Sequence, residues 1–382
     1  MVYDYRLIGG HWSIGELARN PDRSLWRYLP LLPVFDRPEN HSLRVGGTPL
    51  VALPRIAADF DLGGFFIKDD TRNPSGSLKD RATEVAVQHA SQIGADILVA
   101  ASTGNAAASL AALAAFYGRQ AVILAPSSAR AAKLTQILQH GAVLCPIEGS
   151  YDDVFDLAQT VVEAHGWYSR STGINPVLSE GKKTVALEIA EQLDWRVPDW
   201  IFVPVGDGCI IGGVYKGFAD LRGLGWIESL PKLVAVQAEG AAAIVDALES
   251  SKEIEQVQVE TIADSIAVGM PRDGLKALRA VRSSGGYGIR VSDADILQAQ
   301  YKLSTTTGIF AEPAAAAAYA GFLRCTKEGR LANGDKVVVL VTGTGLKDIP
   351  AARRILSPPD PIPPDPGAFD AFIKSKLVQE LR

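Results

Sequence analysis

The sequence predicts an α/β protein made of two open, twisted parallel-sheet domains, each with helices on both faces. Three observations predict it. Short apolar runs such as Ile97–Ala101 and Lys336–Val341 show no polar alternation, as strands buried on both faces do. Amphipathic helical patterns separate them. The strand-helix alternation runs once before residue 175 and again after it, which reads as two βα halves rather than a solenoid.

At 382 residues the chain is long enough for two such units. Residues 1–45, with Trp12, Trp26, Pro30 and Pro33, show no sustained period and read as an arm packed on the body. Gly46-Gly47-Thr48-Pro49 turns into a first strand, Leu50–Leu53. Strands follow at Phe65–Lys68, Ile97–Ala101, Ala121–Ala125 and Ala142–Ile147, with helices over 78–93, 105–117, 128–140 and 151–165. Gly, Asn-Pro and Ser between Trp167 and Lys183 mark the crossing to the second half. The order there is helix 184–194, strand 201–205, helix 211–222, strand 233–238 and helix 241–249. Helices near 274–283, 293–308 and 313–325 then lead to a last strand, Lys336–Val341. A Pro-rich run over 357–366 links to a C-terminal helix, 367–381. The expected division is an arm (1–45), a smaller domain (46–174), a second domain (175–350) and a tail (351–382).

The net charge of −5 disfavours a nucleic-acid or membrane binder. Cys145, Cys209 and Cys325 are far apart and show neither a disulfide framework nor a zinc spacing. The five histidines form no metal-ligand pair. The N-terminus lacks an apolar signal core and no run reaches membrane length, so a reduced, cytoplasmic protein is expected.

Chemistry-bearing residues gather at strand ends. Asp70-Thr71-Arg72-Asn73-Pro74-Ser75-Gly76-Ser77-Leu78-Lys79 leaves a strand, turns, and puts Lys79 in the first turn of a helix. The positive helix end disfavours a cation there, so a partly desolvated Lys79 gains a lowered pKa and becomes a Schiff-base former; the plainer reading is a surface lysine. Ser102-Thr103-Gly104-Asn105 opens the helix after strand 97–101, either as a carboxylate cradle or as a simple cap. Gly206-Asp207-Gly208-Cys209 follows strand 201–205 as a phosphate cradle. It resembles a dinucleotide fingerprint loosely, with Glu239 as a ribose-binding acid, so a nicotinamide oxidoreductase is an alternative. Thr342 ends the last strand, where its hydroxyl serves a ring nitrogen or caps a turn. Glu312 caps the helix after Pro313 or faces the site.

A lysine, a phosphate cradle and a carboxylate cradle at strand ends are what pyridoxal phosphate chemistry on amino acids needs. Pro74-Ser-Gly-Ser-Leu-Lys79-Asp-Arg, Ser102-Thr-Gly-Asn-Ala, Glu180-Gly-Lys-Lys-Thr184, the Gly206 loop, Glu312-Pro-Ala-Ala and Thr342-Gly-Thr-Gly-Leu-Lys-Asp resemble fold-type II pyridoxal phosphate enzymes. The last motif and Gly-Gly-Thr-Pro-Leu50 look like threonine synthases. The resemblance covers roughly residues 44–350. It implies pyridoxal 5'-phosphate in the cleft between two domains, the smaller one mobile, in a homodimer acting on a small amino acid. Lys79 would carry the cofactor and shuttle protons, and Asn105 would bond its phenolic oxygen. Gly206, Asp207, Gly208 and Cys209 would hold its phosphate, and Thr342 would face its ring nitrogen. Ser102, Thr103 and Gly104 would grip the substrate carboxylate.

The chain departs from the threonine synthase pattern where that family binds its substrate's phosphate. Leu178 stands at the arginine position, Gly173 and Ala106 replace hydroxyls, and Lys182 replaces a glutamine. Losing an arginine fork removes the strongest kind of phosphate contact, for which Lys182 or Arg170 would have to compensate. The expected activity is elimination or replacement on an amino acid, in the threonine synthase manner. The alternatives are an ammonia-lyase or β-replacement enzyme on an unphosphorylated amino acid such as serine, threonine or diaminopropionate, and a non-catalytic ligand-binding homologue.

Overall fold

A computed structural model describes residues 1–39, 43–127, 131–149 and 151–380. Two sheets carry the chain. The larger has six strands in the order β1 (Leu50–Ala52), β2 (Gly64–Asp69), β10 (Lys336–Val341), β7 (Trp200–Pro204), β8 (Lys232–Ala238), β9 (Tyr287–Val291). The smaller has four, β5 (Val143–Ile147), β4 (Gln120–Pro126), β3 (Ile97–Ala101) and β6 (Tyr168–Ser169). All pairings are parallel except that of edge strand β1 with β2.

The helices are α1 (Tyr5–His11), α2 (Ile14–Arg19), α3 (Pro54–Asp59), α4 (Lys79–Gln92), α5 (Asn105–Phe116), α6 (Ala131–Gln139), α7 (Tyr151–His165) and α8 (Val177–Gln192). After them come α9 (Cys209–Gly223), α10 (Ala243–Ser250), α11 (Gly274–Ser283), α12 (Asp293–Thr307), α13 (Pro313–Lys327), α14 (Ile349–Ala352) and α15 (Pro366–Glu380). Positions 128–130 of the expected helix 128–140 and position 381 of the tail helix lie outside the described residues.

Strand β10 shows why the apolar runs lack alternation. Val337, Val339 and Val341 join one core cluster while Val338 and Leu340 join another, so both faces are covered. In β3, Leu98 and Ala100 face one cluster and Val99 and Ala101 a second.

Four features differ from the sequence reading. The sheets do not follow contiguous blocks 46–174 and 175–350, because β1 and β2 join the large sheet: β2 pairs along its whole length with β10. An apolar strand goes where a parallel neighbour leaves an open edge, which sequence order does not reveal. The arm contains α1, α2 and a 3₁₀ turn over Leu25–Leu31, with Leu25, Trp26, Tyr28 and Leu31 buried. The crossing ends at Pro176, since α8 already begins at Val177. Strands β6 and β9 were not anticipated, being respectively two residues long and half-exposed.

Candidate active site

Lys79, Asn105 and Cys209 are the first residues of α4, α5 and α9, and with Thr342 they line one cavity. A helix leaves its first N–H groups without intrahelical acceptors. None of the three N-cap residues, Leu78, Gly104 and Gly208, adds a side-chain hydrogen bond. Three partial positive ends therefore face one space, which suits an anionic ligand.

Lys79 is half-buried at the end of a fixed loop. The Leu78 N–H donates to the Thr342 carbonyl at 2.9 Å, and the Thr344 N–H to the Gly76 carbonyl at 3.0 Å. The lysine loop and the loop after β10 thus hold one another. Behind Lys79, buried Arg170 donates from Nε and Nη2 to Thr83 Oγ1, both at 3.1 Å, and Thr83 Oγ1 donates to the Lys79 carbonyl. Asp80 accepts from the Ser75 N–H at 2.6 Å and hydroxyl at 2.5 Å, which ties down the turn before the helix.

The β7–α9 loop presents backbone to the cavity. Gly208 has φ +90°, and a Cβ there would stand 2.8 Å from the Asp273 carbonyl oxygen, so only glycine fits. Asp207 directs a carboxylate oxygen to the Arg272 N–H at 3.2 Å, while its own carbonyl accepts from the Asp273 N–H. The concave side is left to N–H groups, which is how a phosphate is cradled.

Asn105 is buried and its amide is held at both ends. Nδ2 donates to both Glu312 oxygens, at 2.8 and 3.0 Å, and lies 3.3 Å from Ser265 Oγ. Oδ1 accepts from Lys347 Nζ at 2.9 Å. Glu312 therefore faces the site rather than capping α13. Burial raises its pKa against the pull of Asn105, Lys347 and Lys79. Burial also lowers the pKa of Lys347, which Glu312 and Asp80 oppose.

Ser102, Thr103 and Gly104 line an adjoining cleft with about 830 Å³ of room, shared with Lys79, Asn105 and Arg170. Lys182 and Leu178 are not on its walls. Leu178 is 1% exposed and packs in the core with Leu25, Trp26 and Val85, because the early start of α8 turns it inward. Lys182, also buried, lies behind Lys79 near Cys209 and Arg170; burial lowers its pKa, Cys209 opposes this, and Lys79 and Arg170 add to it. No sequence motif marks Ser265, which comes from the 3₁₀ turn Asp264–Ile266, and the resemblance assigns no role to Lys347 within its Thr342–Asp348 motif. Glu239, the acid of the dinucleotide alternative, is exposed and outside the cavity.

The fold is shared with solved structures. Threonine deaminase isoform 2 from Solanum lycopersicum matches with a TM-score of 0.70 at 21% identity, over 80% of this chain and 81% of that one. An L-serine ammonia-lyase from Rhizomucor miehei matches at 0.69 and 23%, over 81% and 98%. In sequence, threonine synthase from Methanocaldococcus jannaschii is 38% identical over 98% of this chain and 93% of its own length. Threonine synthase from Methanosarcina acetivorans is 39% identical over 91% and 85%. The family model described as "Pyridoxal-phosphate dependent enzyme" matches residues 41–343, and the chain belongs to that family. It is a pyridoxal-phosphate-dependent lyase of threonine synthase-like type, and pyridoxal phosphate is its cofactor. The nicotinamide and non-catalytic alternatives are not favoured. The residues fit that cofactor: an amine at Lys79, a backbone cradle at 206–209 that side chains would fill, and the Thr342 hydroxyl share one cavity.

Proposed function

We propose that the protein converts an O-phosphorylated amino acid of the O-phospho-L-homoserine type and water into L-threonine and phosphate. The observation that carries the reading is the convergence of Lys79, Asn105 and Cys209, each opening an uncapped helix, on one cavity. When bound, the cofactor supplies an electron sink for negative charge at the substrate's α-carbon. Lys79 would hold it covalently through its amine and, once released, would take one proton from Cα and one from Cβ and return them to Cγ and Cα. The Cγ–oxygen bond would break to release phosphate, and water would add its hydroxyl at Cβ while its proton goes to the departing phosphate. Ser102, Thr103 and Gly104 hold the substrate carboxylate at the start of α5. Gly206, Asp207, Gly208 and Cys209 take the cofactor phosphate on backbone N–H groups. Asn105, on turning its Nδ2 from Glu312, would serve the phenolic oxygen, and the Thr342 hydroxyl would serve the ring nitrogen. A neutral hydroxyl there would leave the nitrogen unprotonated, which suits elimination and replacement. Arg170, on the wall of the cleft, supplies the positive charge for the substrate's anionic group, in place of Lys182, which lies behind it.

A second reading, deamination of an unphosphorylated amino acid, is favoured by Leu178, which packs in the core where the family pattern has an arginine. We place the enzyme in the cytoplasm as a homodimer; among the described residues no helix is long and apolar enough to cross a membrane. Wild-type protein loaded with pyridoxal phosphate is expected to be yellow, with the band lost and turnover down at least about a hundredfold in Lys79→Ala. Colourless wild-type protein would sink the reading. Phosphate and threonine release from O-phosphohomoserine, set against ammonia and keto-acid release from serine, threonine and diaminopropionate, separates the two substrates.

A further inference from the structure

Asn105 meets a carboxylate at one end of its amide and a cation at the other. Nδ2 lies 2.8 and 3.0 Å from the Glu312 oxygens, and Oδ1 lies 2.9 Å from Lys347 Nζ. The two ends of an amide are alike in size and opposite in function, so its partners decide which end points where. A lysine ammonium donates and does not accept. Lys347 therefore admits only the oxygen end, because the reversed amide would set donor against donor. Glu312 and Asp80 favour this charged form of Lys347 against burial. Glu312 decides less. Ser265 also hydrogen-bonds it and burial raises its pKa, so it can give Nδ2 up. In protonated form it would pair with either end of the amide.

Lys347 does this from a fixed place. It ends the 3₁₀ turn Gly345–Lys347, just after β10. The Gly345 N–H donates to the Phe310 carbonyl at 2.8 Å, and a Cβ on Gly345 would stand 2.4 Å from the Phe310 ring. Lys347 lines a third cavity, with about 470 Å³ of room, which Asn105 and Glu312 also border. It is on the wall of neither the cofactor cavity nor the substrate cleft. Its side-chain hydrogen bond goes to Asn105.

We propose that Lys347 is a positioning residue, which pins Asn105 Oδ1 so that the Nδ2 donor is the end offered to the cofactor's phenolic oxygen. When Nδ2 turns from Glu312 to that oxygen, the ammonium, with three donors on a flexible stem, keeps its hold on Oδ1. Without Lys347 the amide is free to present its own oxygen, which repels the phenolic one. The proposal rests on the pyridoxal phosphate reading and gives a function to a lysine outside the cofactor cavity.

The test follows cofactor binding by absorbance, on apoprotein of wild type, Lys347→Met, Asn105→Ala and the double variant. Each is titrated with pyridoxal phosphate and with 3-deoxypyridoxal phosphate, which carries hydrogen in place of the phenolic hydroxyl. Each single substitution should weaken pyridoxal phosphate about tenfold and change the deoxy analogue less than about twofold. In the Asn105→Ala background, adding Lys347→Met should cost less than about twofold, since residues that act as one unit do not add. Full additivity, equal losses for the two ligands, or unchanged pyridoxal phosphate affinity in either single variant overturns the proposal. Should Lys347→Met not fold, Lys347→Gln, whose head pairs with either end of the amide, is read in the same cycle by the same criteria. Failure of the parent reading looks different, as colourless wild-type protein.

Discussion

Glu84 is buried on α4, with one oxygen accepting from Trp26 Nε1 at 2.8 Å and from the Tyr117 hydroxyl at 2.6 Å. Its other oxygen has no hydrogen-bond partner among the described residues. Burial, against the pull of those two hydrogen bonds, raises its pKa from 4.5 to about 7. The folded protein thus keeps a proton that the unfolded chain releases between those values. Where the unfolded state binds fewer protons, stability falls as pH rises. The expected loss is about 3 kcal/mol between pH 4.5 and 7, level above that. Urea midpoints across this range should fall in wild type and fall less in Glu84→Gln; parallel curves would refute it. Nothing in the sequence marked Glu84, because its pKa depends on Trp26 and Tyr117 arriving from other elements. Lys79, Asn105, Gly208 and Thr342 were legible because a βα loop at a strand end admits few residue types. Their chemistry is local; that of Glu84 is not.

At the scale of elements, helix α8 decides where Lys79 sits. Gly181 lets it touch α4: an added Cβ would lie 2.3 Å from the Arg81 carbonyl oxygen and 2.8 Å from the Ala82 Cα. Both atoms are backbone in the turn that Lys79 begins, so neither can swing aside. Gly181→Ala should push α4 outward, costing about 1–3 kcal/mol as overpacking does. It should also weaken pyridoxal phosphate, although residue 181 lies outside the cavity. Thermal unfolding of apoprotein and cofactor titration check this, and an unchanged cofactor affinity would show that α4 does not move. This glycine also explains why the sequence predicts a helix start at 184 rather than at Val177. Asn-Pro and Glu180-Gly181 look like loop chemistry, yet Gly181 serves helix-helix contact within a helix. Strand β9 was missed for the converse reason, since Tyr287–Val291 carries Gly288 and Arg290 and is buried fully only at Ile289 and Val291.

Across the whole molecule, one buried charge cluster joins the parts that carry the site. Glu188 of α8 accepts from Arg81 Nη1 at 2.6 Å and Nη2 at 2.8 Å, from Lys68 Nζ at 2.7 Å and from the Gly47 N–H at 2.7 Å. Arg81 completes its fork on Asp70 at 2.7 and 2.8 Å. Lys68 belongs to the large sheet, Arg81 to the helix packed on the small one, and α8 has residues in the core clusters of both. The sequence showed each of these residues but not their meeting, which needs β2 to cross into the second sheet. Two acids and two bases balance, so removing one strands its partners. Burial alone would raise the Glu188 pKa, but Arg81 and Lys68 outweigh it and hold the carboxyl well below its usual range. A depressed carboxylate pKa stabilises the fold fully above the unfolded value and loses that contribution as pH falls below it. Glu188→Gln is therefore expected to cost about 3–5 kcal/mol at pH 7 by leaving Lys68 and Arg81 uncompensated. It should also flatten the acid side of the stability curve below pH 4.5, the ordinary value for the group. Urea unfolding at pH 7 and at two acid pH values gives both readings. A variant as stable as wild type at pH 7 would mean that the cluster does not couple the two sheets. Because Arg81 sits two residues after Lys79, loss of the cluster should also release bound cofactor before the chain unfolds, seen as bleaching of the yellow band ahead of the far-UV transition.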